Sequence, residues 1–354
     1  LANTRFFREI LTHAPRYFGA SAISAAAGML MTKYYTRQFD PAAYGVLALY
    51  VSLSQYLQSF MGLSFDAVAQ RVYFEYPGEA RPRFLGTVLI FLFGACALTS
   101  LLLLACMSRI DAFLGGGPGL FLLSVGVSVA FIFANFLSRI AYNEKLSPLV
   151  ARQTLIQAVL NHGISVFAIA FVLKDVASRQ FGLFAGYLGN LLAYVRGLRR
   201  LSLLEVKWEF DPAVFRKVWG FAIPSFTTLI LGTSFSYVDR ILLNHYHGKG
   251  DVGVYSLGYT IATGLGMVTE AVSMALFPNI MIELKENYEK GMRKLKQVDA
   301  VFCLGLLALG LICLFSRHWL VALFSNKSYA RAADVLPFIT FGYVVGGGYK
   351  VVSS

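Results

Sequence analysis

Two charges stand near the end of a long apolar stretch in SYVDRILLNHYHGKGDVGVYSLGY, residues 236–259: Asp239 and Arg240. On a helix, neighbouring residues point about 100° apart, so the spacing predicts no facing pair. One is expected to face a polar cavity, and the other to reach the outer interface, where Arg can snorkel. Glu270 lies deeper in the next apolar stretch, roughly 25 Å along a helix axis at about 1.5 Å per residue. An ionisable group at that depth is a functional candidate by default, for ion or proton coupling. At an offset of 208 its counterpart position in the first half is Gly62, and Asp66 lies one turn from there, with Arg71 just beyond it.

Polar residues also recur at helical spacing. Ser52, Gln55, Ser59, Gly62 and Asp66 share one face, as do Thr260, Thr263, Met267, Glu270 and Ser273. Gln153, Gln157, Asn161 and Ser165 repeat every fourth residue, and Ser225, Thr228, Gly232, Ser236 and Asp239 form a fourth stripe. Such stripes either bond neighbouring helices or line a hydrated path. The candidate cavity set is Lys33, Arg37, Gln55, Ser59, Asn161, Asp239 and Arg240, with Asp66 and Glu270 for ion coupling. Arg16, Arg37, Arg139, Arg152 and Arg240 are helix-end cations suited to phosphate. His162, His245 and His247 form no ligand constellation, and Cys96, Cys106, Cys303 and Cys313 lack metal spacing. No metal or cofactor is expected.

The elements that must carry these residues follow from composition. The chain is 57% hydrophobic and 14% charged, with a mean hydropathy of +0.61. A soluble domain is about 45–50% apolar and about 25% charged. The apolar runs approach twenty residues and do not alternate, which predicts an all-α polytopic membrane protein and excludes a barrel. Ten spans are expected: 14–35, 43–67, 84–107, 118–140, 150–173, 180–198, 218–243, 252–281, 298–316 and 332–352. Lys and Arg favour the N-terminal side by about two to one, which places the N-terminus in the cytoplasm. The net charge of +12 sits in short loops, so it reflects topology and anionic lipid rather than nucleic acid.

The basic loop around 201–217 divides the chain. An offset of 208 lays AYGVLAL (43–49) on DVGVYSL (251–257) and Ser108-Arg109 on Ser316-Arg317. The expectation is a duplicated six-helix unit: a first lobe 1–200, a linker 201–217 and a second lobe 218–354, of which four helices are visible. The second lobe is read as truncated. The offset spans an even number of helices, so the copies share one orientation, an arrangement that in transporters puts the substrate cavity between the lobes.

The stretch DRILLNHYHGKGDVGVYSLGYTIA resembles the second-half signature of O-antigen-type polysaccharide flippases. YYTRQFDPAAYGVLALYVSLSQYLQSFMGLSFDAVAQRVYFEY (34–76) resembles the first-half segment, and FAIPSF (221–226) also fits. The resemblance implies the multidrug/oligosaccharidyl-lipid/polysaccharide exporter superfamily. It implies alternating access and a polyprenyl-diphosphate-linked saccharide moved from inner to outer leaflet of the bacterial cytoplasmic membrane. Partners would be the lipid-linked saccharide and membrane lipids, with a glycan polymerase and glycosyltransferases nearby. A cation-coupled multidrug exporter of the same superfamily stays open as the alternative. A glycan-building enzyme would need large extramembrane loops, and none is long enough. No G-x-x-x-x-G-K-[ST] motif occurs either, so no ATP-driven pump is read in this chain.

Overall fold

A computed structural model describes the backbone of residues 2–286 and 288–353. It describes the side chains of residues 19–267, of 289, and of most of 292–347. Among the described residues the regular secondary structure is all helical, with no strand. The helices are α1 (Ala2–Gln38), α2 (Pro41–Gly62), α3 (Phe65–Val72), α4 (Ala80–Leu114), α5 (Pro118–Asn143) and α6 (Ser147–Phe171). They continue as α7 (Val176–Arg200), α8 (Pro212–Tyr246), α9 (Lys249–Glu286), α10 (Tyr288–Phe315), α11 (Arg317–Phe324) and α12 (Ala332–Ser353). The expected spans fall on these helices. Among the described residues, five segments are long and apolar enough to cross a membrane by length and composition: α4, α5, α6, α8 and residues 295–315 of α10.

The helix starts have local causes. Asp40-Pro41-Ala42-Ala43 opens α2 and Asp211-Pro212-Ala213-Val214 opens α8. Each Asp carboxylate accepts from a backbone N–H of the first turn, Ala43 at 2.7 Å and Ala213 at 2.8 Å. Proline at the first helical position loses no hydrogen bond, and the Asp cap contributes about 1 kcal/mol.

One expected span is not a single helix. The stretch 43–67 breaks after Gly62, where Leu63 and Ser64 take φ of 46° and 60°. Left-handed backbone costs a residue with a Cβ about 1–2 kcal/mol. The break turns Asp66 into a first-turn residue of α3, where the helix dipole favours a carboxylate.

Contacts divide the chain into two compact units. The first comprises residues 1–28 and 46–249. Its core gathers α3, α4, α5 and α8 around Phe65, Phe84, Leu92, Phe136 and Val218, all nearly inaccessible. Phe65 and Phe91 stack at 3.7 Å between centroids, and Phe215 and Trp219 close the cluster. The second unit comprises residues 29–45 and 250–354. There the C-terminal end of α1 is tied to the α11–α12 join. Thr36 Oγ1 donates to the Phe324 carbonyl at 2.7 Å, Asn326 Nδ2 to Thr36 O at 3.1 Å, and the Tyr329 hydroxyl to Phe39 O at 3.0 Å.

The helix ends repeat at the offset seen in the sequence. A shift of 208 carries the end of α1 at Gln38 onto the end of α8 at Tyr246. The same shift carries the start of α2 at Pro41 onto that of α9 at Lys249. The copies differ in where they break: α2 ends at Gly62 while α9 continues through the matching position, 270, and α4 runs unbroken to Leu114 while its counterpart is split into α10 and α11.

Candidate functional site

The densest polar constellation among the described residues joins α3 to the C-terminal half of α5. Asp66 Oδ2 accepts from Arg139 Nε at 2.6 Å and from Asn135 Nδ2 at 2.7 Å. Arg139 Nη1 also donates to Gln70 Oε1 at 2.7 Å, and Asn143 Nδ2 to the Gln70 carbonyl at 2.9 Å. The Asp66 side chain is 13% exposed and that of Arg139 31%. A carboxylate is thus almost enclosed by donors, while its guanidinium partner keeps an open side. Just beyond, the Tyr73 hydroxyl donates to Glu144 at 2.7 Å, and Arg81 Nη1 donates to the same oxygen at 2.9 Å. Burial, and then the Glu144 carboxylate that accepts its proton, push the Tyr73 phenol above its ordinary value.

Sequence reasoning found Asp66 and Arg139 but missed Gln70, Asn135 and Asn143. The signal was present. Residues 66 and 70 lie one turn apart, and 135, 139 and 143 lie one turn apart twice over, so two four-residue ladders meet face to face.

Other candidates in the first unit take separate places. Ser59 is buried, one turn before the α2 break, and its hydroxyl lies 3.0 Å from that of Thr233 on α8. Gln55 is half-buried one turn earlier. Asn161 sits in the seam between α6 and α7. Its Oδ1 accepts from Arg179 Nη1 at 2.5 Å, and Gly186 lies against its backbone. Asn190 Nδ2 donates to Gln157 Oε1 at 2.8 Å in the same seam. Here Gln157, Asn161 and Ser165 of the α6 stripe bond α7, and Gly182 and Gly186 let the two backbones approach.

Arg240 departs from the expected outward reach. It is 6% exposed. Its Nη1 donates to the Ser236 carbonyl at 2.7 Å and lies 3.5 Å from Asp239 Oδ1, and its guanidinium stands 5.2 Å from the Tyr237 ring centroid. Asp239 and Arg240 therefore do form an ion pair. The long Arg side chain folds back along its own helix, which the 100° separation of the Cβ vectors does not prevent.

In the second unit, Lys33 is half-buried and Arg37 exposed near the end of α1. Glu270 lies outside the described side chains, as does Arg16.

A family model described as polysaccharide biosynthesis protein matches residues 17–282, and one described as MatE matches residues 224–354. Among solved structures, a lipid II flippase MurJ in an inward closed conformation matches with a TM-score of 0.74 at 13% identity, over 96% of this chain and 76% of that one. An inward-facing multidrug resistance MATE family transporter of the MOP superfamily matches with a TM-score of 0.68 at 12% identity, over 93% and 81%. A point mutant of the Vibrio cholerae MATE transporter VcmN matches with 0.56 at 13% identity, over 98% and 85%. At these identities the shared property is the fold. No curated protein sequence matches the chain.

Proposed function

The chain belongs to the polysaccharide biosynthesis protein family, and we propose that within it this protein moves a polyprenyl-diphosphate-linked oligosaccharide, an O-antigen or other surface glycan unit, from the inner to the outer leaflet. It is a multi-pass membrane transporter and not an enzyme. Its task is therefore to bind, shield and release. The family match over residues 17–282 carries the reading. The proposed setting is the bacterial cytoplasmic membrane with the N-terminus inside. Glycosyltransferases would supply the unit and a polymerase would consume it. Residues 1–200 and 218–354 are the two repeated lobes of the proposal, joined by 201–217.

A lipid diphosphate needs a cation that engages and then lets go. Arg139 meets that need. Its partner Asp66 is a single carboxylate, and a diphosphate offers a stronger, bidentate acceptor for the exposed side of the guanidinium. When the phosphate leaves, Asp66 takes Arg139 back. Lys33, Arg37, Gln55, Ser59, Asp239 and Arg240 are proposed to serve the headgroup and glycan along the route, while Asn161, a candidate by sequence, is taken up in the α6–α7 seam. Asp66 and Glu270 are proposed to couple the cycle to an ion.

The second reading is a cation-coupled drug exporter, which the MatE match over 224–354 favours. One preparation separates them. Purified protein in vesicles is offered a fluorescent polyprenyl-diphosphate sugar and, separately, a cationic dye. Protein-dependent movement of the lipid-linked sugar supports the first reading. Movement of the dye alone replaces it with the second.

A further inference from the structure

Residues 203–211, between α7 and α8, have no helical structure, yet they are pinned along the start of α4. Lys207 N donates to the Pro82 carbonyl at 3.0 Å. Thr87 Oγ1 donates to the Glu209 carbonyl at 3.2 Å and accepts from Asp211 N at 3.0 Å. Arg83 lies 3.4 Å from Asp211 and 3.7 Å from Glu209. The contact needs glycine at 86, where any Cβ would fall on the Lys207 carbonyl oxygen. Leu203, Leu204 and Val206 pack against the core of the first unit.

The other face of this segment is aromatic and open. Trp208 is 63% exposed and Phe210 47%. The Trp208 ring lies 6.0 Å from that of Phe93, an exposed residue of the apolar α4. Trp219 and Phe221 are also exposed at this end of α8. Aromatic rings of this kind gather where spans leave the hydrocarbon, and tryptophan prefers the headgroup level. Non-helical backbone does not face hydrocarbon, which fixes the depth from the other side. Arg199, Arg200, Lys207 and Arg216 are exposed in and beside the segment. Of its acids, Glu209 and Asp211 are paired with Arg83, leaving Glu205 against four cations.

We propose that residues 203–211 form an interfacial strap whose partner is the anionic headgroup layer of the bilayer, with Trp208 and Phe210 as its anchors and Arg199, Arg200, Lys207 and Arg216 as its charge contacts. The strap ties α4 to α8 at a fixed depth, so that the inter-helix link rides on the membrane surface rather than in water.

The test uses the full chain with Trp219→Phe and Trp319→Phe, which leaves Trp208 as the fluorophore. It is placed in vesicles of phosphatidylcholine with or without phosphatidylglycerol. Lipids brominated near the headgroup end of the chain should quench Trp208 more strongly than lipids brominated at the chain terminus, and aqueous iodide should quench it weakly. Phosphatidylglycerol should shift the emission further to the blue, and Arg199, Arg200, Lys207 and Arg216 all changed to Gln should abolish that further shift alone. Strong iodide quenching without bromine quenching overturns the proposal in favour of a solvated loop. Protection from both overturns it in favour of a protein cover. Gly86→Leu, which displaces the strap from α4, should lessen the preference for the headgroup bromines; an unchanged depth profile also counts against the proposal.

Discussion

Arg139→Ala and Asp66→Asn break the same ion pair, but their costs differ. Arg139→Ala leaves a carboxylate whose side chain is 13% exposed with only Asn135 and the first turn of α3 for support. Removing one partner of a buried pair costs about 3–5 kcal/mol, and the partial exposure here brings the expectation to about 2–3 kcal/mol. Asp66→Asn leaves Arg139, at 31% exposure, able to turn to water while it keeps Gln70 at 2.7 Å. Loss of that charge-assisted bond costs about 1–2 kcal/mol. The double variant should fall short of the summed costs by about 1 kcal/mol or more, since the stranded carboxylate is gone. Denaturant unfolding in detergent micelles reads all three values. Binding of a polyprenyl diphosphate then separates stability from function. Asp66→Asn should bind it more tightly by freeing Arg139, and Arg139→Ala more weakly. Equal, additive destabilisation with no opposed change in binding would refute the assignment of this pair.

Further outcomes follow from single sites. Gly182→Ala places a methyl against Ser165 and the Asn161 carbonyl; it should cost about 1–3 kcal/mol through overpacking of the α6–α7 seam, read by unfolding. Arg240→Lys keeps the charge but loses the planar guanidinium that lies against Tyr237 and reaches the Ser236 carbonyl and Asp239 through Nη1. Export of surface glycan should fall at normal protein levels, and wild-type export would remove Arg240 from the site. Glu270→Gln should preserve folding while uncoupling transport, and full rescue of a flippase-deficient strain would end its coupling role.

Much of this fold is legible in the sequence because its causes are local. Pro41 and Pro212, each behind an Asp, mark two helix starts, and the apolar runs mark the spans. The 208-residue repeat in the sequence returns as coincident helix ends. The break at Leu63-Ser64 is not legible, because two non-glycine residues in left-handed backbone announce nothing, and the network of Asp66 with α5 is what they serve. The docking of 203–211 is hidden for a similar reason. A polar, basic segment reads as a loop, and the Gly86 that receives it lies more than a hundred residues earlier. Arg240 defeats a reading from Cβ directions, because its side chain is long enough to turn back on its own helix. The α6 stripe shows the limit of periodicity: it locates the polar face, but only the glycines of α7 reveal that the face is consumed in packing.

The most direct test is leaflet movement of one molecule. Purified protein is reconstituted into vesicles carrying a trace of fluorescent polyprenyl-diphosphate oligosaccharide, and a membrane-impermeant reductant reports how much of the label reaches the outer leaflet with time. The predicted result is protein-dependent loss of the protected pool, abolished by Arg139→Ala and retained with Trp208→Ala. A protected pool that stays the same with and without the wild-type protein, while a cationic dye is transported, would contradict the flippase reading.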